Sequence, residues 1–444
     1  MIFEVQNLGN INHAKIDLSK NLILFTGQNN TGKTYLSYAI YGLSHFYEDQ
    51  PNEYLSNKLI ELYDSKNIEI DLRKVFTSLQ YSKSASYYYK RHLGDIFGLD
   101  QSSFDASTFE LYWNSEEELQ QKLYLSSWSG RMSSTGPDLN HNLRVSFLKE
   151  AETYALKVSC EDTVPTNIGL DDLNKYVYNR TPLIDKYNFI SVERTGIAIF
   201  GKDVIMNRFA QSNLPNPIST TQYSQIIQNS IREQEYLSSY IKRYGIGTFN
   251  DLALELEEKI LGGKLEVSAE GDVFLKINGK EIKMQLVGSA IKSLSSLAIY
   301  LRYHARENAA VIIDEPEINL HPDNQRVVAR ILAKMVNRGI KVIVSTHSDY
   351  IIRELNHLMI MSAHKENPDV QKIMAQHGYE ATELVSPADV GAYLFTRNDD
   401  LTADVTKLEI DPIDGIQPDT INKVINQQNQ ISKALYNRLF AELA

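Results

Sequence analysis

Apolar and polar side chains alternate over residues 3–8 and again over 14–18, the pattern of strands with one buried face. The unbroken run Leu22-Ile23-Leu24-Phe25 that follows predicts a strand buried on both faces. The period then changes. Leu36, Ala39, Ile40 and Leu43 fall at helical spacing, which predicts a helix over 34–47 with a glycine-bearing loop between it and the buried strand. From about 49 to 186 the pattern loosens into a segment rich in Tyr, Ser and Asn, with Tyr87-Tyr88-Tyr89 and Ser126-Ser127-Trp128-Ser129 as its oddest stretches. Strand-like runs at 143–147 and 154–158 lie inside it, so it reads as an ordered α+β insertion rather than a linker. Its aromatic residues read as partly buried sheet positions in preference to base-stacking groups.

Regular patterning resumes with a buried strand at 187–192 and a mostly polar helix at 223–242, whose few apolar anchors suggest a projecting element. Gly262-Gly263 opens a meander of strands at 264–267, 273–277 and 282–284, with Asn278-Gly279 as a hairpin turn. A helix over 289–306, a strand at 310–313, a helix over 324–337 and a strand at 341–345 complete an alternation of strands and helices. That alternation predicts an α/β fold with a mixed, mainly parallel sheet. Residues from about 385 read as a small C-terminal tail domain ending in a helix over 420–443. The expected division is therefore 1–48, an insertion at 49–186, a return to the main fold at 187–360, and a tail at 361–444. No period of 20 to 50 residues is visible, which argues against a solenoid.

Composition narrows the class. The chain has 444 residues, 43% hydrophobic and 23% charged, enough to bury one large core or two modest ones. Its apolar runs are strand-length and no basic segment leads into a signal-like core, so no membrane span is expected and a cytoplasmic location is. The lone cysteine, Cys160, excludes an intrachain disulfide framework and reads as an ordinary part-buried residue. A formal net charge of −11, from 45 basic and 56 acidic residues, opposes coating of nucleic acid by the whole surface but leaves a local basic groove open.

Three motifs carry chemistry. The loop Gly27-Gln28-Asn29-Asn30-Thr31-Gly32-Lys33-Thr34 supplies what a bound triphosphate needs: backbone N–H groups that Gly27 and Gly32 let wrap the anion, a fixed cation in Lys33, and a metal-binding hydroxyl in Thr34. A strand before it and an amphipathic helix after it meet the context that such a loop requires. Asn29, Asn30 and Thr31 complete the cradle. In Val311-Ile312-Ile313-Asp314-Glu315-Pro316 a buried strand ends in two carboxylates, where Asp314 would join the Mg²⁺ shell and Glu315 would polarise a water for in-line attack on the γ-phosphate. The strand before Ser345-Thr346-His347-Ser348 delivers His347 to the same sheet edge, where it could touch the γ-phosphate.

Taken in order, the loop at 27–34, the segment Gly288-Ser289-Ala290-Ile291-Lys292-Ser293-Leu294, the run Asp314-Glu315-Pro316-Glu317-Ile318-Asn319-Leu320-His321-Pro322, and Ser345-Thr346-His347-Ser348 resemble the ABC-type ATPases related to the SMC and overcoming-lysogenisation-defect (OLD) proteins. The resemblance covers roughly residues 1–45 and 185–360, and the Asn-Leu-His-Pro run separates it from transporter cassettes. Ser191-Val192-Glu193-Arg194-Thr195-Gly196 is also similar to a Glu-Arg segment of that family, without its usual Pro-Ala. The resemblance implies a P-loop ATPase of ABC type that uses ATP and Mg²⁺ and forms a homo-oligomer by head-to-tail pairing, with ATP sandwiched between a loop and a partner's signature segment. Ser289 or Ser293 would be the serine that acts across the pair. Asn319 and His321 fall where the family places a dimer-contact loop.

Some relatives carry a TOPRIM nuclease; its acidic signature is absent here, because Glu380, Glu383, Asp389, Asp399 and Asp400 are scattered. The resemblance therefore implies a stand-alone ATPase acting on a separate nuclease or toxin effector, as in the antiphage Septu and PARIS systems. Two rivals stay open: a DNA-repair or chromosome-maintenance ATPase that clamps DNA, and a nucleotide-gated scaffold with negligible turnover. The insertion lacks the heptads of a coiled-coil arm, which weighs against the first.

Overall fold

The computed structural model describes residues 1–45, 52–77, 83–134, 143–160, 173, 176–177, 185–201, 223–269, 271–417 and 419–440. Two compact units divide the chain. One comprises Met1–Val5, Ala39–Ile96 and Asp100–Lys186; the other comprises Gln6–Tyr38, Phe97–Leu99 and Tyr187–Ala444. The chain begins with β1 (Ile2–Leu8), β2 (Ile11–Asp17), β3 (Leu22–Gly27) and α1 (Lys33–Tyr41).

The first unit holds α2 (Glu53–Ser65), β4 (Asn67–Asp71), α3 (Leu72–Thr77), α4 (Lys83–Phe97, whose last residue Phe97 belongs to the second unit), β5 (Thr108–Tyr112), α5 (Glu116–Leu125), β6 (Trp128–Ser134), β7 (Leu143–Lys149) and β8 (Ala155–Cys160). Strands β4, β8, β7 and β6 form an antiparallel sheet in that order. Helix α2 starts where the Asn52 side chain accepts the Leu55 N–H at 3.0 Å and stops at Lys66, left-handed at φ +59°. Its Leu55, Leu59 and Leu62 stripe is buried with Ile70, Phe147 and Leu156 from the sheet.

The second unit continues with β9 (Tyr187–Ile190), α6 (Gln225–Tyr244), α7 (Asn250–Leu256), β10 (Lys264–Val267), β11 (Val273–Ile277), β12 (Lys280–Lys283), α8 (Ser289–Ile299), β13 (Ala310–Asp314), α9 (Pro322–Asn337), β14 (Lys341–Thr346), α10 (Asp349–Ala363), α11 (Pro368–His377), β15 (Val390–Arg397), β16 (Ala403–Leu408) and α12 (Asp419–Phe440). Its main sheet runs β2-β16-β15-β3-β14-β13-β9. Every neighbour pair is parallel except β15 and β16. This is the mixed, mainly parallel α/β sheet that the alternating pattern predicts. Strands β3 and β13 are buried at every position, which is why they read as continuous apolar runs. The meander β10-β11-β12 turns at Asn278 and Gly279, both with positive φ, as a two-residue hairpin requires.

Four expectations change. The helix expected over 34–47 ends at Tyr41 and tightens into a 3₁₀ turn, Gly42–His45; residues 46 and 47 lie outside the described residues. Helix α6 does not simply project: Ile226, Ile231 and Leu237 are buried, so its sparse anchors suffice for packing. The helix expected over 289–306 is α-helical only to Ile299 and then widens into a π turn, Tyr300–His304. There Arg302 donates to Glu257 Oε2 at 2.7 Å and to the Asn250 side chain at 2.9 Å.

The largest correction concerns the C-terminal segment. Residues read as a small tail domain supply β15 and β16 to the main sheet, and β15 pairs parallel with β3 from Val390↔Leu22 to Phe395↔Gly27. The physical reason is burial: β15 is buried from Val390 to Phe395, and its Tyr393 and Phe395 rings pack on Phe25 at 6.0 and 5.5 Å. Of the described residues, no helix is long and apolar enough to cross a membrane.

Candidate functional site

The loop after β3 is fixed from three sides. Gly27 sits at φ +133°, and a Cβ there would fall 2.1 Å from the Phe395 carbonyl oxygen, so only glycine lets β15 approach this closely. Beyond it the Gln28 N–H reaches the same carbonyl at 3.4 Å and the Arg397 N–H donates to Gln28 Oε1 at 3.2 Å. On the other side Asn10, in the turn between β1 and β2, donates its side-chain amide to the Asn30 carbonyl. Inside the loop, Thr31 Oγ1 donates to the Gln28 carbonyl at 2.8 Å.

Lys33 opens α1 and is 5% exposed. Its ammonium donates to the Gln28 carbonyl at 2.6 Å, with the Gly27 carbonyl and Thr31 Oγ1 each at 3.4 Å. Burial draws its pKa down to about 8, a pull opposed by the negative charges of Glu315, Asp314 and Glu317. An anion on the loop would strengthen the charged form. The N-terminus of α1 adds backbone N–H groups that lack partners in their own helix.

Parallel register brings the second and third motifs to the same edge. Asp314 lies opposite Ser345, and Thr346 lies opposite Thr26. Asp314 is 1% exposed; its Oδ2 accepts from Thr34 Oγ1 at 3.0 Å and its Oδ1 accepts from Ser345 Oγ. Burial raises its pKa while those two hydroxyls hold it down. Glu315 adopts φ +46°, a left-handed backbone unusual for glutamate, with its N–H donating to the Ser345 carbonyl at 3.0 Å. The turned backbone leaves its Oε1 at 3.6 Å from His347 Nε2. Burial first, then the Lys33 charge, lowers the pKa of His347, which favours a neutral imidazole.

These groups line one open cleft of about 960 Å³ that includes Asn29, Asn30, Thr31, Gly32, Lys33, Thr34, Glu315 and His347. The geometry adds Glu317, whose Oε1 accepts the His347 N–H at 2.6 Å and whose carboxyl pKa is raised, chiefly by burial. Its signal was present in the Asp-Glu-Pro-Glu run, two residues past Glu315. Ser289, by contrast, does not line the cleft; it is exposed at the first turn of α8. Ser293 is 1% exposed, so of the two serines only Ser289 faces outward. Asn319 is left-handed at φ +62°, and His321 caps α9 by accepting the Asp323 N–H at 3.4 Å.

Arg194, noted in the sequence only as part of a Glu-Arg pair, is a structural hub. It is 3% exposed and donates to four backbone carbonyls: Ser293 at 2.8 Å, Ser191 at 2.9 Å, Asp314 at 2.7 Å and Glu315 at 2.6 Å. It thereby ties α8 to the acidic pair.

For a divalent cation, the donor set fits Mg²⁺. Thr34 and Asp314 present hard oxygens 3.0 Å apart beside the phosphate loop, and Mg²⁺ is ordinarily held by one or two protein oxygens with phosphate and water completing its shell. Such an ion would favour the charged form of the buried Asp314 carboxyl, against the burial that raises its pKa.

The AAA ATPase domain family matches residues 1–352. No curated protein matches the chain. Among solved structures, an SMC head bound to the C-terminal winged-helix domain of ScpA is 13% identical, covering 92% of this chain and 97% of that one with a TM-score of 0.40. The SMC head domain from Thermotoga maritima is 11% identical over 92% of this chain and 98% of that one, with a TM-score of 0.33. A Pyrococcus furiosus Smc head with an extended coiled coil, bound to the C-terminal domain of ScpA, is 12% identical over 97% and 98%, with a TM-score of 0.39.

Proposed function

Because the chain belongs to the AAA ATPase domain family, matched over residues 1–352, we propose that it binds Mg²⁺-ATP on the 27–34 loop and hydrolyses it with Glu315 as the base. The observation that carries this reading is the convergence, at one sheet edge, of the Thr34–Asp314 oxygen pair at 3.0 Å and the Glu315–His347 pair at 3.6 Å beside the buried Lys33. Lys33 and the α1 N–H groups hold the β- and γ-phosphates. Thr34 and Asp314 would hold Mg²⁺, which would neutralise charge on the phosphate oxygens. Glu315 orients a water and takes its proton as the water oxygen attacks phosphorus; the bond to the β-phosphate oxygen breaks and ADP leaves. His347 hydrogen-bonds the γ-phosphate, and Glu317 fixes its backbone.

Ser289 supports a head-to-tail pair. It is exposed and lies outside the cleft of its own chain, so contact with the nucleotide requires a second copy. The motif order favours a homo-oligomer whose ATP state regulates a separate effector, with antiphage defence as its setting. The test is turnover and assembly size. Lys33→Ala is expected to lose nucleotide binding, and Glu315→Gln to retain binding, to cut turnover by about a thousandfold, a loss of about 4 kcal/mol in transition-state stabilisation, and to accumulate the ATP-bound oligomer. Lys33→Ala mixed with Ser289→Arg should recover turnover that neither has alone, since one mixed site keeps both wild-type halves. Turnover of Glu315→Gln at the wild-type rate would remove the assigned base. Failure of the mixture, with each variant folded, would remove the head-to-tail pair. Effector control predicts that a neighbouring gene product co-purifies in an ATP-dependent manner.

A further inference from the structure

The phosphate machinery leaves one wall of the cleft without a role. Tyr35, in the first turn of α1, is 40% exposed and lines that cleft together with Gly9 and Asn10 of the β1–β2 turn. Its ring is held from behind by Phe97, with centroids 5.0 Å apart. It is also set against Gly9, which has φ +59°; a Cβ at Gly9 would stand 2.8 Å from the ring, so the turn gives way to the aromatic group. Among the described residues lining the cleft, the others offer amides, hydroxyls, carboxylates, an ammonium or an imidazole, or are glycine; Tyr35 alone offers a six-membered aromatic face.

We propose that Tyr35 is the platform on which the base of the bound nucleotide stacks. The inference rests on the phosphate-site reading above and adds to it where the nucleoside goes. Metal and water chemistry would fall to Thr34, Glu315 and His347, with Asp314 buried behind Thr34. A triphosphate with its γ end there must send its other end away from those carboxylates. The β1–β2 turn, tied to the loop through the Asn10–Asn30 bond, lines the same cleft, and the Tyr35 ring set against its Gly9 is the planar apolar surface there. A ring that is both exposed and braced loses little freedom on stacking, which makes it suited to hold a flat base. Stacking of this kind tolerates different bases because each has a π face.

The experiment compares binding of Mg²⁺-ATP, Mg²⁺-GTP and inorganic tripolyphosphate to the full chain and its Tyr35→Ala, Tyr35→Phe and Gly9→Ala variants. Tyr35→Ala is expected to weaken ATP and GTP by about tenfold, the scale of one base–aromatic stack, and to leave tripolyphosphate unchanged. Tyr35→Phe should bind all three like wild type. Gly9→Ala should reproduce the nucleotide-specific loss by displacing the ring. Equal losses for nucleotides and tripolyphosphate would make Tyr35 a support for the loop, and no loss for either would place the base elsewhere; both outcomes overturn the proposal. Wild-type protein that binds tripolyphosphate and loses it with Lys33→Ala upholds the phosphate site whatever Tyr35 does. Wild-type protein that binds none of the three sinks the site reading and the platform together.

Discussion

At Gly27 a methyl group has nowhere to go: the Phe395 carbonyl stands 2.1 Å from where a Cβ would be, and φ is +133°. Gly27→Ala should therefore separate the loop from β15 and abolish nucleotide binding, measured by equilibrium titration; retention of wild-type affinity would show that the loop does not depend on that contact. Arg194 makes a second case. Four carbonyls share one buried guanidinium, and lysine cannot reproduce its planar fork. Arg194→Lys is expected to cost about 2–4 kcal/mol, as buried acceptors lose charged partners, and to lower turnover more than ATP affinity because Glu315 and α8 lose their common anchor. Thermal melts and steady-state kinetics check the two parts separately. The loop, the acidic pair and His347 were legible because each is a local run of residues ending a buried strand. Arg194 was not, since its role depends on carbonyls from three other places in the chain, and a carbonyl carries no sequence signal.

At the scale of elements, α9 and α10 meet through charge as well as through apolar stripes. Glu354 on α10 is 1% exposed and accepts from Arg326 at 2.8 Å and Arg330 at 2.6 Å, both on α9, with His357 Nδ1 at 3.8 Å and Glu383 sharing Arg330. Burial alone would raise its pKa, but the nearby His357 ring, hydrogen bonds from Arg326 and Arg330 and the Arg330 charge outweigh it and bring the carboxyl to about 2. A carboxyl lowered by folding stabilises the native state fully above its unfolded value, about 4.3, and loses that contribution as pH falls from there toward 2. Glu354→Gln should thus destabilise by about 3 kcal/mol at pH 7, with the gap from wild type narrowing as pH falls below about 4. Urea melts at several pH values measure this; a gap unchanged between pH 7 and pH 3 would contradict it. Of the two helices, only α9 was read from the sequence, by its apolar spacing over 324–337. The π turn after α8 was not: it carries Arg302 into a buried pairing with Glu257, a contact between distant segments that leaves no local periodicity to read.

For the whole molecule, the decisive fact is that the core sheet is closed by strands from the far end of the chain. Periodicity shows that Val390 to Phe395 is as apolar as β3, but it does not show which strand lies beside it, and chain order suggested a separate tail. Removing residues from 386 onward would strip β3 of its parallel partner and Phe25 of two aromatic neighbours, and would release the Phe395 carbonyl from the loop. Such a truncation is expected to lack cooperative unfolding and to bind no ATP. Ending the chain at residue 417 removes only α12, whose described side chains from 427 to 438 are all exposed, and should leave both properties intact. Circular dichroism melts and nucleotide titration on the two truncations distinguish a tail appended to an ATPase from a strand on which the ATP site is built. If the shorter chain melts cooperatively and binds ATP, the tail is appended after all; if only the longer one does, the phosphate loop and the C-terminal strands fold as one unit, and the sheet edge that holds the site forms only after the last strands have joined it.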